Sequence, residues 1–178
     1  MSDTLLDRDS LNRAFSLLAE NLAKKNVVGE IHVFGGAAMV LAFDSRAATR
    51  DVDALFVPDG HVLDAAKDVA SQLGLPPSWL NNQASTYVSG RAGRGTPVFD
   101  HPHLRVMITP PGHLLAMKVR AARAARDVED VTVLLKHLRL ESVAAVVEVV
   151  GKFFPDEPLS DRSRMLLEDI FSQGDSDD

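Results

Sequence analysis

Two carboxylates one residue apart, Asp51 and Asp53 in Arg50-Asp51-Val52-Asp53-Ala54-Leu55-Phe56, have the spacing best suited to chemistry in this chain. Side chains alternate along an extended strand with a period of two, so both acids point to one face. Like charges held that close repel, and one pKa rises unless a cation sits between them. A hard divalent cation with oxygen ligands satisfies both. Upstream, the apolar run Ile31-His32-Val33-Phe34 ends in Gly35-Gly36 and continues as Ala37-Ala38-Met39. A glycine turn that opens a helix offers free backbone N–H groups to phosphates. Together the two features predict a metal–nucleotide site.

Each feature also has a plainer reading. A Gly-Gly pair suits tight helix–strand packing. It is not a P-loop, because no Gly-Lys-Ser/Thr follows, and the G-x-G-x-x-G spacing of a dinucleotide site is absent. The acids alone suit a solvated edge strand. Against that, Val52, Ala54 and Phe56 form an apolar face opposite them. Leu55 and Val57 continue the acidic face, which predicts that it becomes buried just past the carboxylates.

A second group of charged residues lies downstream. Lys118 sits in Leu114-Leu115-Ala116-Met117-Lys118-Val119-Arg120, either snorkelling at the rim of a core or reaching a phosphate as a point charge. Arg120, Arg123 and Arg126 recur every third residue and predict a basic stripe on one helix. Arg91 and Arg94 make the glycine-rich loop 89–95 basic. Asp127 suits the cap of a helix that begins near Val128. His101 and His103 flank Pro102 and read as loop residues, since two histidines without a third ligand rarely hold a metal. Trp79 reads as a packing anchor.

The elements that must position these groups follow from periodicity. Leu11, Phe15, Leu18 and Leu22 predict a helix from about Asp9 to Lys25, capped by Asp9 or Ser10 and broken by Gly29. Strands are predicted at 30–34, 51–57 and 104–109, with a short helix over 37–43. The second strand is stopped by Pro58-Asp59-Gly60. Val62, Ala65, Ala66, Val69, Ala70 and Leu73 predict an amphipathic helix ended by Gly74. Pro76 and Pro77 enter a short helical turn. From about His113 the chain is helical, with breaks near Gly151 and between Pro155 and Pro158. The order implies an α/β (α+β) protein: a small mixed-sheet core over 1–110 and a helical C-terminal region over 111–173 packed on it.

Composition narrows the class. The chain has 178 residues, 46% of them hydrophobic, enough for a sizeable core. It has no cysteine, which excludes disulfides, zinc–thiolate sites and thiol nucleophiles and fits a reducing, cytoplasmic setting. The stretch 1–9 is acidic and polar, unlike a signal peptide. No apolar run has the length of a membrane span. A net charge of −6 argues against a general nucleic-acid coat and leaves room for a local basic patch.

Gly35-Gly36, a short helix and Asp51-x-Asp53 resemble the first motif of the polymerase-beta-type nucleotidyltransferase superfamily. Leu115-Ala116-Met117-Lys118, followed by Arg126-Asp127-x-x-Asp130, resembles the C-terminal signature of its AbiEii and MenT-like toxin branch. The stretch from Gly35 to Phe56, with Trp79-Leu80-Asn81 after it, is also similar to a related bacterial family of uncharacterised nucleotidyltransferase-like proteins. The resemblance spans roughly 30–135. It implies a nucleotidyltransferase core in which Asp51 and Asp53 hold Mg²⁺ on a nucleoside triphosphate. Gly35 and Gly36 would cradle the phosphates, Lys118 would bind phosphate oxygens, and Arg50 would help indirectly. Asp127 would orient Lys118 or assist the attacking hydroxyl. The implied reaction moves a nucleoside monophosphate to an RNA end, tRNA in the best-known relatives, or to a protein side chain. Arg91, Arg94, Arg120, Arg123 and Arg126 would steer an RNA, and a cognate antitoxin would be the protein partner.

The chain departs from this pattern in two places. Many members add a third carboxylate on the next strand, but Leu104-Arg105-Val106-Met107-Ile108 offers no acid. Asp100 substitutes only if that strand starts early. Gly36 also stands where others carry serine. The missing third acid and the net charge of −6 favour one alternative, a catalytically idle nucleotidyltransferase fold serving as an antitoxin or nucleotide sensor; the nearest enzyme rival acts on a small molecule.

Overall fold

The computed structural model describes residues 4–85, 88–90, 93–121 and 124–174. The fold is mixed α/β with a helical C-terminal half. It divides into two compact units: the described residues of 1–86 with 94–109, and those of 87–93 with 110–178.

The first unit is built on a five-stranded sheet ordered β5-β4-β2-β7-β6. Its strands are β2 (Gly29–Phe34), β4 (Val52–Val57), β5 (Leu80–Asn81), β6 (Thr96–His101) and β7 (Leu104–Ile108). A separate ribbon pairs β1 (Leu6–Asp7) with β3 (Ala48–Thr49). Antiparallel β2–β4 and β6–β7 pairs combine with parallel β2–β7 and β4–β5 pairs, so the sheet is mixed. Ile31, Val33, Val52, Ala54, Leu104 and Val106 are buried on one face. Helices α1 (Arg8–Lys24) and α3 (Asp59–Leu73) pack together and against the sheet. The helical stripes expected from the sequence form their buried sides: Leu11, Phe15, Leu18 and Leu22 on α1, and Val62, Ala65, Ala66, Val69 and Ala70 on α3.

Several boundaries differ from expectation. The cap of α1 is Asp7, whose carboxylate accepts from the Ser10 amide at 2.8 Å. That bond holds the Asp7 carboxyl below the usual carboxylate range. Gly29 does not break α1 but begins β2, where an added Cβ would meet Leu22 Cδ1 at 2.9 Å. β4 stops before Pro58 as expected, but α3 opens at Asp59 rather than at Val62, and Gly74 caps its C-terminus in the left-handed region as expected (φ 67°). Pro76–Asn81 is not helical; its end forms β5. β6 was not foreseen.

The second unit comprises α4 (Pro111–Ala121), α5 (Ala124–Leu138), α6 (Val143–Phe153) and α7 (Asp161–Gly174). Gly151 lies inside α6 instead of breaking it. The expected break between Pro155 and Pro158 falls between α6 and α7. A further break follows α5, where Arg139 turns left-handed (φ 55°). No described helix is long and apolar enough to cross a membrane.

Candidate active site

The β2–β4 register places Phe34 opposite Asp53, at the end of β2 from which α2 (Gly35–Ala42) departs. Gly35 turns the chain there with φ 68°, a conformation that glycine adopts without penalty. A Cβ built on Gly35 would lie 3.0 Å from Asp53 Oδ2. The glycine turn and the second acid therefore converge on one spot. Phe34, at the N-cap of α2, offers no side-chain acceptor to the helix's first N–H groups, and no acid lies in that first turn.

Asp51 immediately precedes β4. Thr49 Oγ1 donates to its backbone carbonyl at 3.2 Å, and Asn81 Nδ2 lies 3.5 Å from its Oδ2. Asn81 is itself the register partner of Asp53 across the β4–β5 pair. The two acids flank one position of the sheet, as the period of two requires. Gly36 makes room for a different pair: its Cβ would sit 2.9 Å from both Arg46 Nη1 and Thr49 Oγ1. A hydroxyl and a guanidinium thus stand beside the position where a serine was expected.

The acidic face does not close past the carboxylates. Leu55 is half-buried and Val57 is 68% exposed, because α1 and α3 cover the opposite face. The expectation of a buried continuation is corrected: the face carrying Asp53, Leu55 and Val57 lies open within this unit. Its far end, around Val57, Glu30, Arg105 and Asp100, lines a cavity of about 720 Å³ that does not include the acidic pair.

Asp100 cannot serve as the third carboxylate. It pairs with Arg105, which lies level with Glu30 and Val57, so Asp100 is three strands across and four residues along from Asp53. At ordinary sheet spacings that is about 14 Å across and about 13 Å along. The residue beside Asp53 on the neighbouring strand is instead an amide, Asn81. Among the described residues no group of three or more His, Cys, Asp or Glu is placed to hold a metal. The oxygen donors at this site are the two carboxylates, which suit a hard divalent cation, with the Asn81 amide beside them.

Lys118 and Asp127 belong to the second unit. Lys118 is 9% exposed, and its Nζ lies 2.6 Å from Oδ2 of Asp130, itself 1% exposed. This contact folds α5 back against α4. The acid bound to the lysine is therefore Asp130, while Asp127 lies in the first turn of α5 rather than capping it. The basic stripe is not one helix face: Arg120 is on α4 and Arg126 on α5. Arg120 pairs with Glu157, and its guanidinium stacks 3.9 Å from the Phe154 ring centroid. Arg91, Arg123 and the side chain of Arg126 lie outside the described residues. Arg50 and Arg94 are exposed.

No family model, curated protein or solved structure matches this chain. The nucleotidyltransferase reading therefore rests on its residues alone. Those that sequence reasoning missed are Arg46, Thr49 and Asn81, together with Asp130 as the partner of Lys118. Asn81 and Asp130 stood within quoted motifs, but only strand pairing and the α4–α5 contact reveal what they touch.

His103 lies in a turn, as expected, but His101 is a strand residue rather than a loop residue. His101 ends β6 and its Nδ1 accepts from the His103 amide at 3.0 Å; His103 Nδ1 lies 2.9 Å from Val27 O. Trp79 is fully buried and donates its indole N–H to Ala66 O at 2.8 Å, an anchor between β5 and α3.

Proposed function

We propose that this protein is a divalent-metal-dependent nucleotidyltransferase that moves a nucleoside monophosphate from a triphosphate to an acceptor. The observation that carries the reading is the closeness of Gly35 to Asp53. A glycine turn at a helix N-terminus and an acid of an Asp-x-Asp pair share one spot. The α2 N–H groups suit phosphate oxygens, and the two acids suit the cation that accompanies them.

Asp51 and Asp53 would hold Mg²⁺. When bound, the ion neutralises phosphate charge and stabilises the leaving pyrophosphate. Gly35 and Gly36 keep side chains out of the phosphate's path. Arg46, beside Gly36, adds a positive charge at the same turn. In the transfer, an acceptor hydroxyl attacks the α-phosphorus and gives up its proton to solvent, the bond to the bridging oxygen breaks, and pyrophosphate departs with that electron pair. The resemblance supplies Lys118 and Asp127 as further participants. The buried Lys118–Asp130 pair makes Lys118 a structural residue in addition to any such role.

RNA is the proposed acceptor, with Arg50 and Arg94, both exposed, as its candidate contacts in the first unit; Arg120 is engaged elsewhere. A toxin role restrained by an antitoxin goes with that acceptor. Incubation with α-labelled nucleoside triphosphates, Mg²⁺ and total RNA tests the proposal: label should enter RNA with the wild type and not with Asp53→Ala.

The amide at Asn81 favours a second reading. With no acid beside Asp53 on β5, the site carries two charges, which suits a fold that binds a metal–nucleotide complex without transferring it. Mg²⁺-dependent nucleotide binding without label transfer would select that reading.

A further inference from the structure

Three consecutive residues, Trp79-Leu80-Asn81, do three different jobs. Trp79 fixes the segment to α3 through its indole bond to Ala66 O, and its carbonyl accepts from the Val52 amide at 2.6 Å. Leu80 pairs with Val52 and is buried with it in the core. Alternation then turns Asn81, the partner of Asp53, to the side of the acids.

The Asn81 side chain is held at both ends. Its Oδ1 accepts from the Gln83 amide at 3.2 Å and its Nδ2 donates to Ser78 O at 3.3 Å. That fixes which end faces the acids: the Nδ2 donor lies 3.5 Å from Asp51 Oδ2, a long contact from a group that is only 8% exposed. An amide so locked cannot rotate to offer its oxygen without losing the Gln83 bond.

We infer that Asn81 is the positioning residue of the metal site. It presents an N–H to Asp51, fixes the orientation of that carboxylate, and keeps the total charge at two carboxylates, which suits one divalent ion. The inference rests on the proposed metal–nucleotide reading. Residues that hydrogen-bond a metal-binding carboxylate set its orientation, and their loss weakens metal binding even though they never touch the ion. An acid in the same place would have the opposite effect. Without metal it would add a third negative charge beside two others; with metal it would add a ligand.

The test is a Mn²⁺ titration of the full chain, followed by calorimetry and by thermal melts with and without the ion. The proteins compared are wild type, Asn81→Ala, Asn81→Asp and Asp53→Ala. The wild type should bind, and Asp53→Ala should not. Asn81→Ala should bind about tenfold more weakly. Asn81→Asp should melt lower than wild type without Mn²⁺ and gain more from the ion than wild type does. A merely structural role for Asn81 predicts a melting loss in Asn81→Asp that Mn²⁺ does not repair. That outcome, or wild-type affinity in both Asn81 variants while Asp53→Ala loses binding, overturns the inference and leaves the metal reading standing. No binding by wild type, or equal binding by Asp53→Ala, overturns the metal reading and the inference with it.

Discussion

Gly35 and Asp53 meet so closely that the glycine's missing side chain defines the site: a Cβ there would lie 3.0 Å from the Asp53 carboxylate. The contact exists because β2 ends opposite Asp53 just as the chain turns into α2. Two faults coincide in Gly35→Ala, a left-handed φ of 68° and a methyl group pressed against Oδ2. The backbone term alone costs about 1–2 kcal/mol. The variant should lower the urea midpoint by a corresponding amount and displace Asp53, so Mn²⁺ affinity should fall further than stability does. Unchanged Mn²⁺ affinity in the folded variant would show that the turn and the acid act separately.

The buried pair of Lys118 and Asp130 separates fold from chemistry. Lys118→Ala removes the cation from a carboxylate that is 1% exposed, and breaking one partner of such a pair costs about 3–5 kcal/mol. Replacing both, as Lys118→Met with Asp130→Leu, should restore most of that loss in urea denaturation. Label transfer that survives in the folded double variant would remove Lys118 from the reaction.

His113 makes stability depend on pH. It is fully buried on α4, its Nε2 accepts from the Ser89 amide at 3.1 Å, and its ring lies 5.2 Å from that of Phe153. Burial pushes its pKa down from 6.5 to about 4. The folded state therefore favours the neutral ring. Its contribution is complete above pH 6.5 and is lost as pH falls from 6.5 toward 4, where the unfolded chain takes up the proton first. The full span is about 3 kcal/mol. In melts across that window, wild type should lose stability relative to His113→Gln, whose side chain does not titrate. Parallel pH curves would refute this assignment.

The long helices and the central strands were legible in the sequence because their apolar residues recur without interruption: Leu11 to Leu22 on α1, Val62 to Ala70 on α3, Ile31 and Val33 on β2. β6 was not, because Pro97 interrupts it, its residues do not alternate, and its register shifts between Pro97 and Phe99. Pro97 is tolerated because β6 is an edge strand. β5 has only two residues, too few to show a period. That hid Asn81, whose place beside Asp53 comes from pairing and not from spacing. The same reason hid Asp130: Asp127 and Asp130 are both three-residue neighbours on one helix, and only the packing of α5 on α4 selects which one meets Lys118. Gly151 misled because glycine weakens a helix by about 1 kcal/mol without ending it, and buried Val146 and Val150 hold α6 in place.

The most direct test of the account is transfer of label from α-labelled nucleoside triphosphates to RNA in the presence of Mg²⁺, with Asp51→Ala and Asp53→Ala proteins alongside. The account predicts label in RNA with the wild type only. The absence of both label transfer and Mg²⁺-dependent nucleotide binding with the wild type would contradict it, and would leave Asp51 and Asp53 as structural acids beside the N-terminus of α2.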